Sequence, residues 1–254
     1  MQVSCAHFSY AGARQSNQDV LAYRIDAERA CFVVSDGIGG TPGGEVAARR
    51  AAAAIIEQWS ESLSFSREAA YACVQAANEV ILAEQRREPM HAHMSTTVVA
   101  LFIDRLNARA QWLHVGDSRL YRFRHGVIAE RTFDHSVIQQ MRDAGHPVDG
   151  VSPSLLHKAV GMHGPVLPSH SEILPLADGD AFLLCTDGFW QLVSSRTLER
   201  TLRMVRSPDD WMRLLEHEAA RHARIAPRAD NYSAVAVWVG HPESATLVAF
   251  SDDV

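Results

Sequence analysis

Residues 32–44 read FVVSDGIGGTPGG: an apolar run ends at Ser35 and Asp36, and five glycines follow within eight residues. A phosphate-cradling loop, a metal-binding turn and a plain tight turn can all begin this way. The nucleotide reading fails on two counts. A dinucleotide fingerprint needs G-x-G-x-x-G between strand and helix; Gly37 and Gly39 fit, but Pro42 stands at the third position, where close helix packing wants glycine. Asp36 would also aim a negative charge at a pyrophosphate, and no Gly-Lys-Ser/Thr follows to make a P-loop.

The aspartates say more than the glycines. Asp36 closes one apolar run, Asp117 sits in LHVGDSRLYRF between two others, Asp187 follows AFLLCT, and Asp230 precedes YSAVAVWV. Acids at strand ends gather along one rim of a sheet, and their mutual repulsion is costly unless cations bind. Each also has an ordinary reading, since Asp-Gly makes hairpin turns and Asp-Asn makes caps. The recurrence of apolar run, hydroxyl residue, Asp, Gly in VVSDG and LLCTDG raises the joint weight of the metal reading. Carboxylates, a backbone carbonyl and water suit Mg²⁺ or Mn²⁺. The thirteen histidines form no H-x-x-x-H pair, so zinc is set aside.

With 254 residues the chain can bury a substantial core. Four dispersed cysteines in mostly apolar stretches read as buried thiols, and a cytoplasmic location is expected. No stretch approaches the ~20 apolar residues of a membrane span, and there is no leader-like N-terminus. A net charge of -6 with scattered arginines argues against nucleic acid as a partner.

Strand patterns cover residues 20–25, 31–35, 96–103, 110–115, 120–124, 181–185 and 233–239, with weaker ones at 3–9 and 246–250. Helices are expected over 45–59 and over 67–87 after Ser66, and these should pair antiparallel. Ser136 opens another, with Gln139 at capping-box spacing and Gly145 at its end. Ser207 and Pro208 open a fourth. Residues 145–171, rich in Pro, Gly and His, read as an irregular flap with one short central helix inside a single domain spanning 1–254. Clustered rather than alternating elements favour antiparallel sheets with helices on their outer faces.

RQSNQD (14–19), SDGIGG (35–40), STTVVALFI (95–103), HVGDSRLYRFRHG (114–126), RTFDHS (131–136), LLCTDGFWQLV (183–193) and DNYSAVAVWV (230–239) occur in the order seen in the metal-dependent PPM/PP2C serine/threonine phosphatases. The chain resembles the compact bacterial branch most. The resemblance implies an α+β fold, a four-layer α-β-β-α sandwich with two central antiparallel sheets and a helix pair on each outer face. It implies a site for two Mn²⁺ or Mg²⁺ ions and a third, weaker one. Asp36 would bridge the two ions and the Gly37 carbonyl would bind the second. Asp187 and Asp230 would complete the coordination of the first ion, Asp19 would hold coordinated waters, and Asp117 with Asp187 would take the third ion. Arg14 resembles the phosphate-binding arginine, and Lys158 stands where relatives place a flap arginine that meets substrate.

The implied activity is hydrolysis of phosphoserine and phosphothreonine in proteins by a water bridging two metals, opposing a Ser/Thr kinase, in a monomer. A catalytically weak or inactive phosphoprotein-binding regulator is the alternative, and its mark would be lost acids; none of the five is missing. Three positions depart from the family pattern. Gln18 replaces a common Glu, which implies lower affinity at the second ion. Ile38 replaces a histidine of eukaryotic relatives, leaving the general acid open. His135 is read as a structural residue capping the helix after it, and His157 and His163 as surface histidines of the flap.

Overall fold

The computed structural model describes residues 1–38, 43–61, 65–152, 154–226 and 228–240. Three strands open the chain, β1 (Val3–Tyr10), β2 (Asp19–Ile25) and β3 (Arg29–Asp36), before helices α1 (Gly44–Glu61) and α2 (Arg67–Arg87). Four more follow a 3-10 turn at Pro89–His91: β4 (Val98–Asp104), β5 (Arg109–Val115), β6 (Arg119–Arg124) and β7 (Val127–Arg131). Helix α3 (Val137–Asp143) precedes the flap, then come β8 (Ser169–His170), β9 (Leu174–Pro175), β10 (Ala181–Cys185), α4 (Asp187–Trp190), α5 (Ser195–Leu202), α6 (Pro208–Ala223) and β11 (Tyr232–Val239).

Two antiparallel sheets result, ordered β1-β11-β10-β6-β7 and β2-β3-β4-β5-β8, with β9 also paired to β5. Alternation along the strands builds three apolar layers. In β3, Phe32 and Val34 face the other sheet while Cys31 and Val33 face α1 and α2. In β10, Phe182 and Leu184 point into the same central layer, and Leu183 and Cys185 pack toward α6. Burial on both faces is why these strands read as unbroken apolar runs. The helix pair α1/α2 covers one sheet and α5/α6 the other, which is the expected four-layer α+β sandwich.

Local chemistry sets the helix starts. Ser66, Ser136 and Ser207 each accept a bond from the backbone N–H three residues on. In α6, Trp211, Leu215 and Ala219 recur at i, i+4 and i+8 and bury one stripe. Only half of the capping box at Ser136 forms, because the Gln139 amide turns to Asp143. Gly145 closes α3 at φ +71°, a conformation glycine adopts without Cβ strain.

The flap has no helix among its described residues. It is held instead by backbone bridges, Val160 to Thr96 and Leu156 to Ser136; those pairings leave its carbonyls committed elsewhere. Short elements α4, α5, β7, β8 and β9 carry too few apolar repeats to stand out in the sequence. The strand expected at 246–250 and the loop positions 39–42 lie outside the described residues. Cys31, Cys73 and Cys185 are buried free thiols, and Cys5 is half-buried.

Leu184 is fully enclosed in the central layer. Leu184→Ala should therefore lower stability by about 2–5 kcal/mol, whereas Ile225→Ala, at a side chain 79% exposed, should stay within roughly 0.5 kcal/mol. Urea unfolding of both variants checks this; equal midpoints would refute the assigned layering.

Candidate metal centre

Antiparallel order brings one end of both sheets together. That end holds the end of β3, the starts of β2, β6 and β11, and the turn after β10, so Asp36, Asp19, Asp117, Asp230 and Asp187 meet there. Asp19 and Asp36 are direct cross-strand partners, a pairing that two negative charges disfavour. A cavity of about 470 Å³ opens at this end, lined by Asp36, Gly37, Asp117, Asp187, Asp230 and Arg14, with Gln18 and Ile38 beside them. Asp19 lies behind it, 7% exposed.

Neighbouring backbone and hydroxyl groups fix these acids. The Asp36 N–H donates to Thr97 Oγ1 at 3.1 Å, and its carbonyl accepts from Thr97 N (2.9 Å) and Thr96 Oγ1 (2.8 Å). Thr97 Oγ1 continues to Ser118 Oγ at 2.6 Å, next to Asp117. Thr186 Oγ1 donates to Asp19 Oδ2 at 2.9 Å, tying the β10 turn to the other sheet. Gly188 allows α4 to lie against the 230–231 turn, since a Cβ there would stand 2.0 Å from the Asn231 carbonyl oxygen. Gly37 packs on Gly44 in the same way, with 2.3 Å for a Cβ.

Electrostatics separates this end from the other. At the far end Asp104 pairs with Arg109, and Asp180 with Arg122 and Arg124; burial works against both acids, yet hydrogen bonds and the arginines hold them below the usual carboxylate range. At the cavity, among the described residues, no Lys or Arg pairs with Asp19, Asp36, Asp117 or Asp187. Burial, then the charge of Asp19, pushes Asp36 well above its ordinary value. Burial followed by Asp187 raises Asp117 to about 8. Burial raises Asp19 to about 7 against the pull of Ser233 and Thr186. Asp187 is raised too, by burial and then by Asp230.

Asp19 Oδ1 is buried without a hydrogen-bond partner. An unmatched buried carboxylate oxygen, clustered acids and an all-oxygen donor set fit a hard divalent cation. Among the described residues no three His, Cys, Asp or Glu side chains are posed to hold an ion as they stand. Protein groups draw two of the acids aside: Arg14 Nη2 bonds Asp230 Oδ2 at 2.7 Å, and Gln191 Nε2 bonds Asp187 Oδ2 at 2.9 Å.

Lys158 does not line the cavity; the flap reaches it with Ser154 and Leu156. Burial, with the nearby Lys158 charge adding to it, opposes protonation of His114, His135 and His157. His135 is not the cap of α3, a role Ser136 fills. Its Nδ1 accepts from Gly116 N at 3.1 Å and its Nε2 meets Ser169 Oγ at 2.9 Å, so it joins the Asp117 turn to the end of the flap. Sequence reading also passed over Asn231. Its side chain accepts from Gln18 N and donates to the carbonyls of Ala11 and Ser16, holding the loop that carries Arg14. The signal available was its place beside Asp230 in DNYS.

A sequence profile described as Protein phosphatase 2C matches residues 9–226. The chain belongs to the protein phosphatase 2C family. The serine/threonine protein phosphatase PstP of Mycobacterium tuberculosis is 30% identical over 210 residues, 80% of this chain. The chain spans 39% of the length of that relative. The PstP catalytic domain solved in complex with two manganese ions superposes with a TM-score of 0.78 at 28% identity, covering 94% of this chain and 98% of that one. PppA of Pseudomonas aeruginosa, described as a key regulatory component of T6SS, gives 0.72 at 26% identity over 94% and 98%. Membership of the 2C family accords with the α+β sandwich already described.

The raised acids have a consequence for stability without metal. Their stabilising, protonated forms are complete below the free-aspartate value of about 4, and the contribution is lost as pH rises through about 7 for Asp19 and about 8 for Asp117. Buried His114 and His135 act oppositely, but only below about pH 6.5. In EDTA the thermal midpoint should thus fall between about pH 6.5 and 8, less steeply in Asp117→Asn. A midpoint that rises over that window would contradict the assignment.

Proposed function

We propose that this chain is a metal-dependent protein serine/threonine phosphatase that hydrolyses phosphoserine and phosphothreonine by direct attack of water. One observation carries the reading: in a 2C-family chain, acids without arginine partners converge beside a half-exposed arginine, Arg14, while Asp104 and Asp180 at the opposite end are paired with arginines. Two core ions, Mn²⁺ or Mg²⁺, would be held by Asp36, the Gly37 carbonyl, Asp187 and Asp230, with Asp19 orienting water and Asp117 with Asp187 serving a third, weaker ion. When bound, such ions invert the charge of the rim and lower the pKa of a coordinated water toward neutrality.

The chain's own groups supply the rest. Arg14 is 56% exposed at its side chain and is held by Asp230; its planar fork can turn to two nonbridging phosphate oxygens and fix the phosphorus for in-line attack. Thr96 and Thr97 keep the Asp36 backbone from yielding to repulsion. Ile38 and Leu156 form apolar walls of the cavity. No cysteine or histidine lines it among the described residues, and the Cys185 thiol is buried with its pKa pushed up, which supports hydrolysis without a covalent phosphoenzyme.

PstP is a serine/threonine protein phosphatase, which supports phosphoproteins as substrates here and a Ser/Thr kinase as the opposing partner. We read the chain as one phosphatase domain with its flap at about 145–171, acting as a cytoplasmic monomer. No helix among the described residues is long and apolar enough to cross a membrane.

Purified protein should hydrolyse a phosphothreonine peptide with Mn²⁺ and stop with EDTA. Asp36→Asn should lose at least about 10²-fold in kcat, and Arg14→Ala should raise KM roughly tenfold or more. Folded wild-type protein with no Mn²⁺-dependent turnover would overturn the proposal.

A further inference from the structure

Trp190 is not explained by the apolar core alone. It lies on α4 three residues after Asp187, so one helical turn sets both on neighbouring positions of the same face. The Trp190 ring is half-buried, and its Nε1 donates to the backbone carbonyl of Asp117 at 2.9 Å. The Arg119 guanidinium carbon stands 3.5 Å from the centroid of that ring, close enough for a cation–π contact. Arg119 is itself locked by a two-pronged pair with Asp134, Nε to Oδ1 at 2.8 Å and Nη2 to Oδ2 at 2.7 Å. Both side chains of that pair are largely buried, 14% and 10% exposed.

The ring is therefore clamped before it bonds Asp117, and the clamp comes from the chain on both sides of that acid. Arg119 is two residues after Asp117, and Asp134 precedes His135, which accepts from Gly116 N on the other side. Asp117, buried, and Asp187, half-buried, are like charges on different elements, and nothing in their own interaction keeps them close. We infer that Trp190, steadied by the Arg119–Asp134 pair, is a positioning residue that fixes the Asp117 turn against α4 and so sets the affinity of the ion shared by Asp117 and Asp187. The inference rests on the metal-dependent reading above.

Mn²⁺ titration calorimetry on wild type, Asp117→Asn, Trp190→Phe and the double variant tests it. Phenylalanine keeps a ring for Arg119 and removes the Nε1 donor. The expected result is that Asp117→Asn abolishes the weakest Mn²⁺ binding event, and Trp190→Phe weakens that same event by about 3- to 10-fold. The tighter events should stay within about twofold of wild type, and the double variant should match Asp117→Asn. Arg119→Lys, which keeps charge but loses the planar fork, should weaken the same event selectively. A weak event unchanged in folded Trp190→Phe, or all events weakened alike, overturns the positioning role while leaving Asp117 as a ligand. An Asp117→Asn isotherm identical to wild type overturns the ligand assignment and the inference with it.

Discussion

Repulsion among carboxylates at one end of the sandwich is the constraint on which the remaining structure depends. Opposed residues on antiparallel strands have Cβ atoms about 5 Å apart, where two unit charges at an effective dielectric near 20 repel by about 3 kcal/mol. Asp19 and Asp36 form one such pair, and Asp117, Asp187 and Asp230 add to it. Since a domain of this kind has only about 5–15 kcal/mol of net stability, so many like charges can share one rim only through protons, cations or an unusually firm frame. The raised carboxylates describe the proton solution, and the proposed ions describe the working one.

The frame is visible in what surrounds each acid. Thr96 and Thr97, just before β4, hold Asp36, Thr186 ties Asp19 across the sheets, Asn231 holds the loop of Arg14, and Trp190 and His135 grip the Asp117 turn from two sides. Most of these bonds come from side chains to backbone, so they fix where the carboxylates stand without neutralising them. At the far end the same fold uses Arg109, Arg122 and Arg124 to neutralise Asp104 and Asp180. One architecture thus treats its two ends oppositely, and the difference lies in arginine placement.

Much of this was legible from sequence because the strands are buried on both faces and end at marked residues. The runs leading to Asp36 and Asp187 identified themselves by their repeated hydroxyl-Asp-Gly endings, and α2 and α6 by Ser66, Ser207 and Pro208. The flap was less legible. Its short helix was expected from composition, but its conformation is decided by Thr96 and Ser136, which lie far away in the chain. Lys158 was placed near substrate by its position in the order of motifs, yet its charge faces the histidine cluster and the cavity is reached by Leu156. His135 and Asn231 act through long-range bonds to backbone atoms, which no local pattern encodes.

Crystals of the protein grown with Mn²⁺ and measured at the manganese edge test the central claim most directly. The account predicts two strong anomalous peaks bridged by Asp36, one also bound by Asp187 and Asp230 and the other by the Gly37 carbonyl, with Arg14 free to face the cavity. Anomalous density absent from this rim, or found only at other acids on the surface, would contradict it.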